Sequence, residues 1–221
     1  MATLPSLTDE PTLYPGCCFS LSRPLLATIC ALLLESIPVL TPSGVKPRSS
    51  SNEHASPPPI ILSIGSGTGL LEELLQNYLD GGEALNSSHH SSSSTWRVEG
   101  VEVNHIVNVH LPEDRINHVA GTWAVLESRA RDAAALMFVY PRDGALVRRY
   151  VDHAFMTTAP TSCGGVRIVL WLGPKCDWED TGLGSFITSG EFEIFEMRNC
   201  TGLAGYEMLA ALRRKMSASL A

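Results

Sequence analysis

Three glycines, at positions 65, 67 and 69, and one carboxylate, Glu102, are the residues of this chain whose types and spacing best suit ligand chemistry. Glycine lacks the Cβ that blocks positive φ and close backbone approach, so Gly65, Gly67 and Gly69 allow a tight turn to wrap against a bound group. A carboxylate at a strand tip can accept hydrogen bonds from both hydroxyls of a ribose. Together they describe a cradle for a nucleotide-type ligand. The glycine turn taken alone fits an ordinary strand-turn-helix equally well, so the pairing carries the reading.

Two strands and a helix must position these residues. Ile60 to Ile64 is an apolar, β-branched run that reads as a buried strand, and Leu70, Leu71, Leu74 and Leu75 recur at helical spacing directly after the turn. Trp96 to Asn104 (WRVEGVEVN) reads as a second buried strand with Glu102 near its end. The separation between Gly69 and Glu102 exceeds the usual value of about 20 residues. The excess is residues 81–95 (GGEALNSSHHSSSST), a Gly/Ser-rich surface insertion that cannot form core and is expected to be disordered.

The glycine spacing discriminates among cofactors. A dinucleotide fingerprint, G-x-G-x-x-G, needs its last glycine at position 70, which is Leu70, and no Gly-Lys-Ser/Thr follows to make a P-loop. The runs ILSIGSGTGLLEELL and VEGVEVN instead resemble motifs I and II of the class I S-adenosylmethionine-dependent methyltransferases. The resemblance implies an α/β fold: a Rossmann-like, doubly wound, mostly parallel seven-stranded sheet with an antiparallel C-terminal strand. It implies S-adenosylmethionine as cofactor, with Ser63, Gly65, Ser66, Gly67 and Gly69 around the methionine part, Glu102 and Val103 at the ribose, Thr122 and Trp123 beside the adenine, and Tyr140 at the tip of the fourth strand. Trp123 has two readings, an aromatic stacked on the purine or a core anchor for the following helix. Two departures stand out. The family has Asp or Glu two residues before the first glycine, where this chain has Ser63. Val139-Tyr140-Pro141-Arg142 lacks the Asn/Asp and second proline of the motif that some members use for amino-group substrates.

Along the chain, residues 1–23 read as a mobile arm able to fold over the domain, and by analogy with the family Tyr14 to Ser22 is lid material. Pro24 to Leu34 is an apolar helix, and Thr41 to Pro59 a Pro/Ser linker. Residues 1–59 thus form an N-terminal addition to a methyltransferase-like domain over 60–221. Beyond Glu102, Ile106 to Leu111 reads as a helix, Arg115 to Ala120 as the third strand, Ala133 to Tyr140 as the fourth, Leu146 to Thr157 as a helix and Val166 to Leu172 as the fifth strand. Lys175 to Gly190 reads as a loop whose Trp178, Glu179 and Asp180 could wall a substrate pocket. Glu191 to Arg198 and Tyr206 to Arg214 close the sheet. Helix propensity competes in the second of these, but the family ends in an antiparallel pair.

At 221 residues and 44% apolar composition the chain is one ordinary domain. Its net charge of -7 gives no cationic footprint for nucleic acid, and Arg148-Arg149 and Arg213-Arg214-Lys215 read either as local patches or, preferably, as solvated faces. The six cysteines form no C-x-x-C pair, and no signal peptide is recognisable, which suits reduced thiols in a cytoplasmic protein. His105 and His110 miss the i, i+4 spacing of a ligand pair, so no metal is expected. The apolar run 24–34 is shorter than the roughly 20 residues that span a bilayer, so no membrane association is expected. The expected activity is methyl transfer to a small-molecule or protein acceptor, with a non-catalytic ligand-binding or partner subunit as the rival. If the acceptor is a hydroxyl, Tyr140, Asp143 or His153 could be its base. The sequence leaves the oligomeric state open.

Overall fold

A computed structural model describes residues 3–36, 57–81, 96–155, 165–188, 190, 192–198 and 202–215. Its centre is a seven-stranded sheet formed by β1 (Ile60–Ile64), β2 (Arg97–Glu102), β3 (Ile116–His118), β4 (Ala133–Val139), β5 (Ile168–Pro174), β6 (Phe192–Arg198) and β7 (Glu207–Arg214), in the order β3-β2-β1-β4-β5-β7-β6. The first five strands pair in parallel, and β7 runs antiparallel between β5 and β6. The sheet is the one implied by the motif resemblance. Glu207 to Leu212 becomes strand despite its helix propensity because β7 is paired on both edges and its side chains from Glu207 to Leu212 are buried.

Strand alternation feeds two cores. Ile61 points to the layer formed with α1 (Arg23–Ser36) and α2 (Leu70–Leu79), while Leu62 and Ile64 point to the layer with α3 (Glu127–Asp132), α4 (Gly144–Phe155) and α5 (Leu183–Thr188). Ser22 caps α1 by accepting the Leu25 N–H (3.2 Å), and Leu25, Leu26, Ile29, Leu32 and Leu33 bury its inner face.

The N-terminal arm is packed rather than loose. Thr12 and Leu21 form an antiparallel bridge, Phe19 and Leu21 lie in the core, and Ser22 Oγ donates to the Gly202 carbonyl (2.7 Å). Ile106 to Leu111 is a series of turns, not a helix. Asn side chains capture the backbone there: Asn104 Oδ1 accepts the Ile106 N–H (3.0 Å), and Asn108 bonds both the N–H and carbonyl of Leu111. The region read as a loop after β5 contains two single 3₁₀ turns and α5. Most of the insertion over 81–95, the linker before Pro57 and the end, beyond Phe155, of the helix expected over Leu146 to Thr157 lie outside the described residues. Among the described residues, no helix is long and apolar enough to cross a membrane, and no three His, Cys, Asp or Glu side chains are grouped to hold a metal.

Candidate functional site

The carboxyl ends of β1, β2 and β4 open onto a cavity of about 440 Å³. The glycine turn forms its floor. Gly65, Gly67 and Gly69 all have positive φ (79°, 55° and 76°), and a Cβ on Gly69 would lie 2.7 Å from Asn108 Oδ1 and 2.8 Å from Leu111 Cγ. Gly67 differs, since only the Gly16 carbonyl stands near its missing Cβ, at 3.5 Å, so its constraint is conformational.

Glu102 fixes this turn. Its Oε2 accepts the Gly67 N–H (2.9 Å) and its Oε1 the Val103 N–H (2.8 Å), while the carboxylate still borders the cavity. Around it the lining includes Gly65, Ser66, Gly67, Val103, Thr122, Tyr140 and Asp143, all expected from the sequence. Gly69 sits one step back, as the residue preceding α2, and Ser63 lies beneath the turn, fully buried.

Several expected residues are placed elsewhere. Trp123 is 64% exposed and is not among the residues that line the cavity, nor does it anchor the core; its indole lies over Gly121. His153 faces away on α4, with Nε2 3.9 Å from Glu127. Trp178 packs edge-on against Trp171 (5.3 Å) in the core layer of α4 and α5, and neither it, Glu179 nor Asp180 reaches the cavity.

The remaining base candidates are already employed. Asp143 Oδ1 accepts the Ala145 N–H (2.8 Å) at the start of α4, and its Oδ2 lies 3.6 Å from Arg149. Tyr140 adopts φ 48°, a left-handed conformation costly for an aromatic residue, and its hydroxyl donates to Glu207 Oε1 (3.0 Å). Burial, reinforced by Glu207, holds the Tyr140 phenol well above its ordinary range, so it keeps its proton.

Glu207 is the hub of this side of the cavity. Fully buried on β7, it also accepts the Ser20 N–H (3.1 Å), and so ties the arm to β4 and β7. Phe19 then meets the Tyr140 ring edge-on at 5.9 Å. The arm thereby supplies Gly16, Cys17 and Cys18 to the cavity wall, and Thr68 Oγ1 donates to the Gly16 carbonyl (3.2 Å). Burial pushes the Cys17 thiol up to about 12, which keeps it protonated.

One charged lining residue was missed in the sequence. Glu72, on the first turn of α2, is 1% exposed, and its Oε1 accepts the Ser63 hydroxyl (2.6 Å). The signal was available: Glu72 sits beside Leu71 and Leu75, a charged residue on the face that the helix buries. Among the lining residues, Glu72, Glu102 and Asp143 face a single basic side chain, Arg142. The cavity therefore favours a ligand bearing positive charge.

No protein-family model and no curated protein matches the sequence. Solved structures share the fold. A protein from Listeria monocytogenes described as a class I S-adenosylmethionine-dependent methyltransferase has a TM-score of 0.52 at 11% identity, over 94% of this chain and 64% of that one. The human methyltransferase 10 domain containing protein has 0.50 at 16% identity, over 94% and 89% of the two chains. A precorrin-6y methyltransferase from Geobacter metallireducens has 0.50 at 8% identity, over 94% and 95%. With its strand order and its glycine turn at the edge of β1, this chain has the fold of the class I S-adenosylmethionine-dependent methyltransferases.

Proposed function

We propose that the chain binds S-adenosylmethionine in this cavity and transfers its methyl group to a small molecule or a protein side chain. The observation that carries the reading is Glu102, which holds the glycine turn through Gly67 while presenting its carboxylate to the cavity. The residues fit such a cofactor. Glu102 has lone pairs left for ribose hydroxyls, the positive-φ turn allows close backbone approach, and the acidic lining suits a cationic ligand.

When bound, the cofactor supplies an electrophilic methyl carbon on a sulfonium. The chain's own contribution is orientation and exclusion of water, for which the arm residues Gly16 to Cys18 close one wall and Tyr140 and Pro141 another. Tyr140 holds its proton against Glu207, and Asp143 is engaged at the start of α4. Such a site suits an acceptor whose lone pair is available without proton removal. The same engagement supports a second reading, a methyltransferase-like subunit that binds the cofactor without turning it over.

Calorimetry with S-adenosylmethionine tests the first step. The wild-type protein is expected to bind, and Glu102→Ala to bind at least about tenfold more weakly while remaining folded, from the lost hydrogen bonds to a charged acceptor. Unchanged affinity in the folded variant would remove Glu102 from the site. Release of S-adenosylhomocysteine on adding a metabolite extract would support transfer, and binding without release the second reading.

A further inference from the structure

Glu72 is a buried carboxylate with half of its hydrogen-bonding capacity unused. Its Oε1 is taken by Ser63, but its Oε2 is buried and accepts no hydrogen bond from any described residue, although Glu72 is one of the residues that line the cavity. Leaving a buried acceptor empty is costly, and the cost is recovered when a ligand brings a donor. Among the described residues, no cation lies close enough to shift Glu72. The groups acting on it are Ser63 from β1, its own backbone N–H and the charge of Glu102 from β2, and it acts in turn on the Cys17 thiol of the arm, which also senses Glu207. Tyr140 and Arg142 border the same cavity from beyond β4.

Resting on the cofactor reading above, we infer that Glu72, held by Ser63, is the receptor for the α-ammonium of the cofactor's amino-acid part. The chemistry selects this group. A sulfonium carries no hydrogen-bond donor, the ribose hydroxyls fall to Glu102, and an ammonium offers three donors together with the charge that a desolvated carboxylate lacks. The Ser63-Glu72 pair thus places on the helix a carboxylate that the strand position 63 does not supply. Burial also raises the Glu72 carboxyl to about 7, with the Glu102 charge adding and the Ser63 hydrogen bond opposing, so ammonium binding strengthens as pH rises toward neutrality.

The test compares S-adenosylhomocysteine, which bears the ammonium, with 5′-methylthioadenosine, which does not, by calorimetry on the full chain. Glu72→Gln keeps the shape and the Ser63 contact; it is expected to weaken S-adenosylhomocysteine at least about tenfold and to leave methylthioadenosine within about twofold. Wild-type affinity for S-adenosylhomocysteine is expected to climb severalfold between about pH 5.5 and 7.5, with methylthioadenosine level, and the climb to vanish in Glu72→Gln. Ser63→Ala, which removes the hydrogen bond favouring the charged form, is expected to move the climb to higher pH. Equal loss of both ligands in Glu72→Gln, or loss of neither, would overturn the assignment while leaving the cofactor reading intact. Failure of the wild-type protein to bind either nucleoside would overturn both.

Discussion

Glu72 also makes a prediction about the chain with nothing bound. Its carboxyl is raised from 4.5 to about 7, chiefly by burial, so the folded chain holds this proton more tightly than the unfolded chain. The resulting destabilisation is absent below about pH 4.5, grows as pH rises and is complete above about pH 7. Glu72→Gln carries no such charge. Its melting temperature is therefore expected to exceed that of wild type by a margin that widens from pH 5 to pH 8, by an amount corresponding to about 3 kcal/mol at most. Scanning calorimetry at the two pH values measures this, and a constant margin would mean that Glu72 ionises without penalty.

The arm is the element whose role departs furthest from the sequence expectation, because its hold on the domain lies in side chains far away along the chain. Phe19 is fully buried against Tyr140, so Phe19→Ala is expected to cost about 3 to 5 kcal/mol in urea unfolding and to weaken cofactor binding as the wall around Cys17 loosens. Loss of stability with unchanged affinity would show that the arm braces the fold and not the site. The strands β1, β4 and β5 were legible because each is an almost unbroken apolar run in a doubly covered sheet, and β2 through Trp96, Val98 and Val101 and the carboxylate at its tip. Ile106 to Leu111 was not, since apolar spacing alone cannot show that Asn104 and Asn108 capture the backbone. Gly65, Gly67 and Glu102 announced themselves through backbone chemistry and a strand tip. Trp123, His153 and Trp178 were candidates by residue type, and type does not say which way a side chain faces.

For the molecule as a whole, the sheet is held on both sides of the insertion by contacts of its own. Asp80 N–H closes α2 onto the Gln76 carbonyl (2.9 Å), and β2 is fixed from its first residue, with Arg97 N–H on the Pro59 carbonyl (2.9 Å) and Gln76 Nε2 on the Trp96 carbonyl (2.8 Å). Replacing residues 82–95 with a short Gly/Ser connection is therefore expected to leave melting temperature and cofactor affinity unchanged, because loop length changes closure entropy by only about 0.6 kcal/mol per doubling. A folded variant that lost binding would instead make the insertion part of acceptor recognition.

The bond from Ser20 N–H to Glu207 spans 187 residues. A contact so distant in sequence imposes an order of events on folding, since its closure entropy must be met before it gives anything back. On a ribosome the arm emerges before the sheet and must wait, with Phe19 and Leu21 uncovered, until β7 has been made and has slipped between β5 and β6. A stretch made before every strand of the sheet is thus among the last to acquire its place. Closure of the cavity wall that the arm supplies is a late event for the nascent chain, absent from any fragment that stops short of Glu207.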